Sequence, residues 1–296
     1  MEKRIPLVVI VLVNYNGFDD TYECVESILK NDYSNYRIVV VDNASNENEK
    51  DRLKSNSLIN ESCTVIYNED NLGFSNGNNL GIKYANSINA EYVLLLNNDT
   101  IVTESFLTQL IYCADSNQDA SIVTGSIMYY RNPTNYWYAG GEYDYNTGVT
   151  SMLKYKDESE AGYKSVSFAT GCLMLIKSNY IKKYGNLDES FFLYSEDTEF
   201  CLRALKNKTK IYWNPRAIIY HKVNASTGKN SLLQQYYLTR NNLMIISDYS
   251  TNKIKSKLLL FWFCMKQVLK GRYNIKPIVH AYWDYHRGFV GKSERY

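Results

Sequence analysis

The sequence predicts an α/β fold built on a mainly parallel sheet flanked by helices, and three observations predict it. Short β-branched runs alternate with longer helical patterns through the first hundred residues, the signature of right-handed βαβ units. Runs such as Ile38-Val39-Val40-Val41 and Tyr92-Val93-Leu94-Leu95-Leu96 are apolar without alternation, so those strands are expected to be buried on both faces. The 296 residues are 45% hydrophobic and 22% charged, with 15 Gly and 4 Pro, which excludes a disordered or collagen-like chain and suffices for a large core.

In chain order, strands are expected at Leu7 to Val13, Arg37 to Val41, Thr64 to Tyr67 and Tyr92 to Leu96. Helices are expected between them at Asp19 to Lys30, Glu47 to Ile59 and Ser75 to Ile88, and another at Glu104 to Ser116. The Tyr-rich alternation from Ile122 to Tyr155 then reads as an antiparallel insertion or edge, with Asn146-Thr147-Gly148 as a hairpin turn. Ser167 to Ile176 reads as a strand pair, Glu196 to Lys206 as a helix, and Lys210 to Trp213 and Ala217 to Tyr220 as short strands. From about Ser231 the pattern is helical, which divides the chain into a main domain over 1–228 and a C-terminal helical extension over 229–296.

Composition narrows the partners. The net charge of +2 hides a basic end: Thr251 to Tyr296 hold ten Lys or Arg and two acids, +8, which leaves −6 for the rest. Such a body is no general nucleic-acid binder, and its end suits an anionic surface. Lys253, Lys255 and Lys257 precede the apolar block Leu258 to Met265, and Lys266, Lys270 and Arg272 follow it. The block would rise about 12 Å as a helix, too little to span a bilayer, and fits either an interfacial helix or a core helix. The six cysteines form no C-x-x-C pair and sit mostly in apolar segments, so reduced thiols and a cytoplasmic location are expected. Lys3 and Arg4 precede an apolar run, but Asn14-Tyr15-Asn16-Gly17 follows where a leader needs a small-x-small cleavage site, so secretion is not expected.

Ligands of an open parallel sheet bind beyond the carboxyl ends of its strands, and here every strand is followed by polar residues. Asn14-Tyr15-Asn16-Gly17, Asp42-Asn43-Ala44-Ser45, Asn68 to Gly73 and Asn97-Asn98-Asp99-Thr100 stand at these places. One such residue is commonly a turn or helix cap, whereas four groups converging on one edge point to a site. No G-x-G-x-x-G follows the first strand and no G-x-x-x-x-G-K-[ST] occurs, so the phosphate cradles of dinucleotide and P-loop sites are missing. A divalent cation on a carboxylate, with Asp99 the obvious holder, would neutralise phosphates instead, and hard oxygen ligands suit Mg²⁺ or Mn²⁺.

The segments Val9 to Asn16, Val40 to Ser45, Asn71 to Gly81, Leu94 to Asp99 and Ser195 to Arg203 resemble the ordered motifs of family 2 glycosyltransferases with the GT-A fold, most closely the rhamnosyltransferase-like subgroup. The resemblance runs from Ile5 to about Ile246 and implies an inverting, metal-dependent transferase that moves a sugar from a nucleoside-diphosphate donor, dTDP- or UDP-linked, to a sugar hydroxyl. It implies nucleotide contacts at Asn14, Tyr15, Asn16, Asp42, Asn71, Gly73, Asn79, Asn97 and Asn98. The D-x-D motif appears as Asn97-Asn98-Asp99, a departure at its first position, so the ribose contact falls to a neutral amide while Asp99 keeps the metal, a Mn or Mg ion, with His221. Asp197 is implied as the base that takes the acceptor proton, with Glu196, Gly171 and Cys172 on the acceptor side and Arg240 on phosphate oxygens.

The plain reading of Glu196, Asp197 and Glu199 is that they favour the positive end of the following helix. His280 and His286 lack any such context and read as structural. A glycan or lipid-linked glycan acceptor and a peripheral position on the inner face of the cell membrane complete the expectation. A nucleotide-sugar-binding protein without catalysis is the alternative, supported by the Asn97 departure and opposed by Asp99, Asp197 and His221 together. A nucleotidyltransferase would need a basic Gly-rich loop after the first strand, which is lacking. No residue reads out the oligomeric state.

Overall fold

The computed structural model describes residues 4–153, 162–223 and 231–296. The first half contains β1 (Val8–Asn14), α1 (Phe18–Ile28), β2 (Tyr36–Asp42), α2 (Glu47–Ser55), α3 (Ser57–Ser62), β3 (Cys63–Tyr67), α4 (Gly73–Ser87), β4 (Tyr92–Leu96), β5 (Thr100–Val102) and α5 (Phe106–Ser116). There follow β6 (Ala120–Tyr129), β7 (Asn132–Tyr138), β8 (Gly141–Asp144), β9 (Val149–Met152), β10 (Lys164–Val166), β11 (Leu173–Lys177), α6 (Ser178–Tyr184), α7 (Glu196–Lys206) and β12 (Lys210–His221). The chain then runs through α8 (Leu232–Tyr249), α9 (Lys253–Leu269) and α10 (Ile275–His286).

One large mixed sheet has the order β10-β12-β6-β11-β4-β1-β2-β3, with β5 beside β12 and β7 beside β6. Strands β3, β2, β1 and β4 are parallel, as the βαβ pattern requires. Their residues form the core: Val8 to Leu12 and Val93 to Leu95 are fully buried under helices on both faces. Helix α4 lies close on β1 because Gly81 faces it; a Cβ there would stand 2.3 Å from a Val11 methyl.

Four expectations change. The Glu47 to Ile59 helix breaks at Asn56, whose extended backbone and side-chain cap start α3. The region from Ile122 is not all edge: β6 is buried along nine residues and lies inside the sheet, and only β7 to β9 form the antiparallel rim. Lys154 and Tyr155 lie outside the described residues, as does the expected 228/229 domain boundary. The strand pair at Ser167 to Ile176 is no pair, since β11 inserts antiparallel between β4 and β6 while β10 joins the far side of β12. Lys210 to His221 is one strand, because Pro215 sits in a bulge where the register with β6 shifts between Asn214 and Ile218. The hairpin turn at Asn146-Thr147-Gly148 is as expected, with Gly148 at φ 74°. All six cysteines are free thiols.

Candidate active site

Topology brings the predicted residues to one edge of the sheet. The parallel strands β1, β2 and β4 end there at Asn14, Asp42 and Leu96, and β12 ends there at His221. Antiparallel β11 begins there, so the Gly171-Cys172 turn before it meets the same edge. The Asn97 amide donates to the Cys172 carbonyl at 3.1 Å, joining the end of β4 to that turn.

The donor side is a lattice of neutral amides around one carboxylate. Asn14 is fully buried; its amide donates to Asp42 Oδ1 at 2.9 Å and Ser45 Oγ at 3.2 Å, and its carbonyl accepts from Thr21 at 2.8 Å. Asn98 donates to Thr21 at 2.9 Å, so the β1, β2 and β4 loops form one network. Asn16, at φ 51°, accepts from both the Asn46 backbone and its side-chain amide. Tyr15 projects from this loop, 42% exposed. Beside it Asn43 and Asn71 are hydrogen-bonded at 3.0 Å, and Asn71 accepts the Gly73 amide at 2.9 Å. Gly73 needs its φ of 78° and its bare Cα, because a Cβ would meet the Phe192 carbonyl at 2.1 Å. The donor loop is thereby pressed against the segment that leads into α7.

Asp99 and His221 meet because β5 pairs with the end of β12, with Thr100 opposite His221. Nε2 of His221 lies 3.0 Å from one Asp99 carboxylate oxygen and 3.1 Å from the other. The Trp137 ring stands edge-on to the imidazole at 4.5 Å. Burial works against charge on His221, but the Cys172 sulfur and the Asp99 carboxylate outweigh it and raise the imidazole to about 10. Cys172 is itself buried, so its thiol faces His221 and not open solvent. One carboxylate and one imidazole make a donor set that fits Mn²⁺ or Mg²⁺ when phosphate oxygens supply the remaining ligands. Among the described residues no group of three or more His, Cys, Asp or Glu is arranged to hold a metal ion.

The acid pair sits at the start of α7. Tyr194 and Ser195 just before it are both left-handed, at φ 68° and 69°. Such a turn holds only if the surroundings impose it, and Asn241 of α8 does so by donating to the Leu193 and Tyr194 carbonyls at 2.9 and 2.7 Å. Asp197 accepts from the Gly171 amide at 3.1 Å and the Thr198 amide at 2.7 Å. Burial raises Asp197 above the ordinary carboxylate range, and those amides restrain the rise. Glu196 is raised further, by burial and then by the charge of Asp197, and its Oε2 has no partner among the described residues. Of the two, Asp197 carries the negative charge and Glu196 the proton. Glu199, in the same first turn of α7, is bridged by Arg203 at 2.9 Å and accepts from Tyr249 at 2.9 Å.

Three predicted residues stand elsewhere than expected. Asn79 lies inside α4 and clasps the Leu187 backbone with both ends of its amide, at 3.0 and 3.1 Å, because that helix face packs on the loop after α6. Arg240 is 1% exposed and roofed by the C-terminal segment: it donates to the Gly291 carbonyl at 2.8 Å and stacks near Tyr236 and Tyr237, and the adjoining Lys292 donates to the Asn71 carbonyl at 3.3 Å. Asp42 is at the edge but fully buried, so it braces Asn14 and the Ser45 amide. Thr21, Ser45, Asn43, Trp137 and Asn241 are the site residues the sequence reading passed over. Asn43 and Ser45 stood inside a quoted motif, whereas Trp137 and Asn241 reach the site only through long-range packing.

A curled mixed sheet that gathers these groups at its carboxyl edge defines a glycosyltransferase of the GT-A class. Residues 9–185 match the family described as glycosyl transferase family 2, and the chain belongs to that family. It is 30% identical over 145 residues to the low-salt glycan biosynthesis hexosyltransferase Agl10 of Haloferax volcanii, a match over 46% of this chain and 47% of that protein. The chain thus spans about half the length of the curated relative it matches. Its fold is similar to GalNAc-T7, solved with UDP, GalNAc and Mn²⁺, with a TM-score of 0.64 and 14% identity over 96% of this chain and 55% of that one. It is also similar to the mannosyltransferase PcManGT of Pyrobaculum calidifontis, solved with GDP-Man and Mn²⁺, with a TM-score of 0.58 and 14% identity over 96% and 71% of the two chains.

Proposed function

We propose that the chain is an inverting, metal-dependent hexosyltransferase that uses a dTDP- or UDP-sugar, with rhamnose the sugar to which the subgroup resemblance points. The acceptor is a sugar hydroxyl of a lipid-linked glycan in cell-surface polysaccharide assembly, which would bring the enzyme to the cytoplasmic face of the cell membrane. Residues 1–228 carry catalysis and 229–296 form an extension. One observation carries this reading: the Gly171 amide holds Asp197, and the next residue, Cys172, faces the His221 that meets Asp99. Base and metal pair are thus fixed to two consecutive residues, about 3.8 Å apart at Cα.

Asp197 takes the proton of the acceptor hydroxyl as that oxygen bonds to the anomeric carbon, while the bond from that carbon to the diphosphate oxygen breaks and the nucleoside diphosphate leaves with the electron pair. Glu196, kept protonated, donates a hydrogen bond to the acceptor from its unpartnered carboxyl. A divalent cation on Asp99 and His221 would supply charge neutralisation at the leaving diphosphate. Tyr15, Asn16, Asn71, Gly73, Asn97 and Asn98 line the nucleotide side, and Asn14 and Asp42 fix those loops from below. The test is calorimetric titration of the purified chain with UDP, dTDP and NAD, with and without Mn²⁺. Binding of one pyrimidine diphosphate only with metal, abolished by Asp99→Ala, is the expected result; metal-independent binding would overturn the assignment of Asp99 and His221.

A further inference from the structure

From the C-terminal helices we infer a membrane-docking surface: α9 and α10 together present one apolar, basic-flanked face that lies on an anionic bilayer. The inference does not depend on the proposed transfer reaction. Of the 17 residues of α9, only Ser256 and Cys264 are buried, so this is no core helix. At 100° per residue, Ile254, Leu258, Phe261, Trp262, Met265 and Leu269 share a sector about 100° wide. Trp262 is 66% and Leu269 88% exposed. On α10, Ile275, Val279 and Trp283 make a second exposed stripe at four-residue spacing, with Trp283 52% exposed.

The two stripes face the same way. Lys257 Nζ bonds the Tyr285 hydroxyl at 2.8 Å, and the Phe261 ring meets Tyr282 at 6.2 Å, so residue numbers rise on one helix as they fall on the other. The helices are therefore antiparallel. Each stripe begins on the same rotational side of its own contact line, which in an antiparallel pair places both on one side of the hairpin. No described helix is long and apolar enough to cross a membrane, so the platform lies on the bilayer and does not traverse it.

Charge selects the occupant. Residues 253–287 contain eight Lys or Arg against one acid, and that acid, Asp284, is buried and bound by Tyr236 and Arg295. Lys255, Lys266 and Lys270 run along one flank of the α9 stripe, where long stems let ammonium groups reach lipid phosphates while the apolar residues enter the acyl boundary. A second copy of the chain on the same face would set eight positive charges against eight, which disfavours a symmetric pair.

The test is flotation of the full chain with phosphatidylcholine vesicles, with and without phosphatidylglycerol, while following tryptophan emission and measuring mass by sedimentation. Expected are binding to the anionic vesicles only and a blue shift of the emission. Binding should weaken about a hundredfold in a Lys255→Gln, Lys266→Gln, Lys270→Gln variant. Trp262→Ser should weaken it with an unchanged melting temperature, since that side chain is exposed. Equal binding to neutral vesicles, no binding to either, or a dimer that Trp262→Ser converts to monomer would each overturn the inference.

Discussion

The donor edge and the acid turn face each other across Gly73 and Phe192, yet they are built in opposite ways. At the donor edge, polar side chains of Asn14, Asp42, Thr21, Ser45 and Asn98 satisfy one another, and the left-handed residues Asn16 and Ala44 lie in the loops they hold. At the acid turn, two left-handed residues lead into two buried carboxyls, one with an unpartnered oxygen. The first arrangement lowers the energy of the empty protein and holds loops ready for a ligand. The second raises it, and keeps two buried carboxyls side by side with their protons divided unequally.

The widest gap between the two regions should appear in Asp197→Asn. Transfer should fall about a thousandfold, with nucleotide binding unchanged, as measured by single-turnover kinetics and calorimetry; equal loss of both would merge the two regions into one. Asn14→Ala should do the reverse: removal of three buried hydrogen bonds destabilises the fold by about 3 kcal/mol in urea unfolding and weakens nucleotide binding. Asn241→Ala should cost about 2 kcal/mol and lower kcat while leaving nucleotide affinity in place, because it releases the turn and not the donor loops. Smallest is Glu196→Gln, which should raise the melting temperature at neutral pH by on the order of a few degrees. The sign follows from the raised folded value: ionising this buried acid destabilises the fold as pH rises above the ordinary glutamate range, and below that range the variant and parent should melt together.

The same contrast explains what could be read in the sequence. Strands β1, β2 and β4 and the polar residues after them were legible because burial on both faces leaves unbroken apolar runs and turn chemistry is local. The Glu196 to Lys206 helix was legible to the residue. What was not legible depends on distant partners. Strand β5 is three residues long and exists because β12 lies beside it, which is also what brings His221 to Asp99. Pro215 disguised one strand as two, since a bulge is visible only once β6 sets the register. The burial of Arg240 was not legible, because nothing local to Tyr236-Tyr237-Leu238-Thr239-Arg240 reveals that Gly291 folds back over it.

The pairing of His221 with Asp99 would also make the proposed cation loading an exchange. With the imidazole raised by its neighbours, the pair would hold a proton at neutral pH that a metal ligand must shed. A cation bound there should therefore release a proton to the buffer, and its apparent affinity should rise with pH. Titrations of Mn²⁺ in buffers of different ionisation enthalpy would show this as a buffer-dependent heat that vanishes in His221→Ala. Local acidity would then act as a competitive ligand, so that the proton concentration around the site would govern cation uptake as much as the supply of metal.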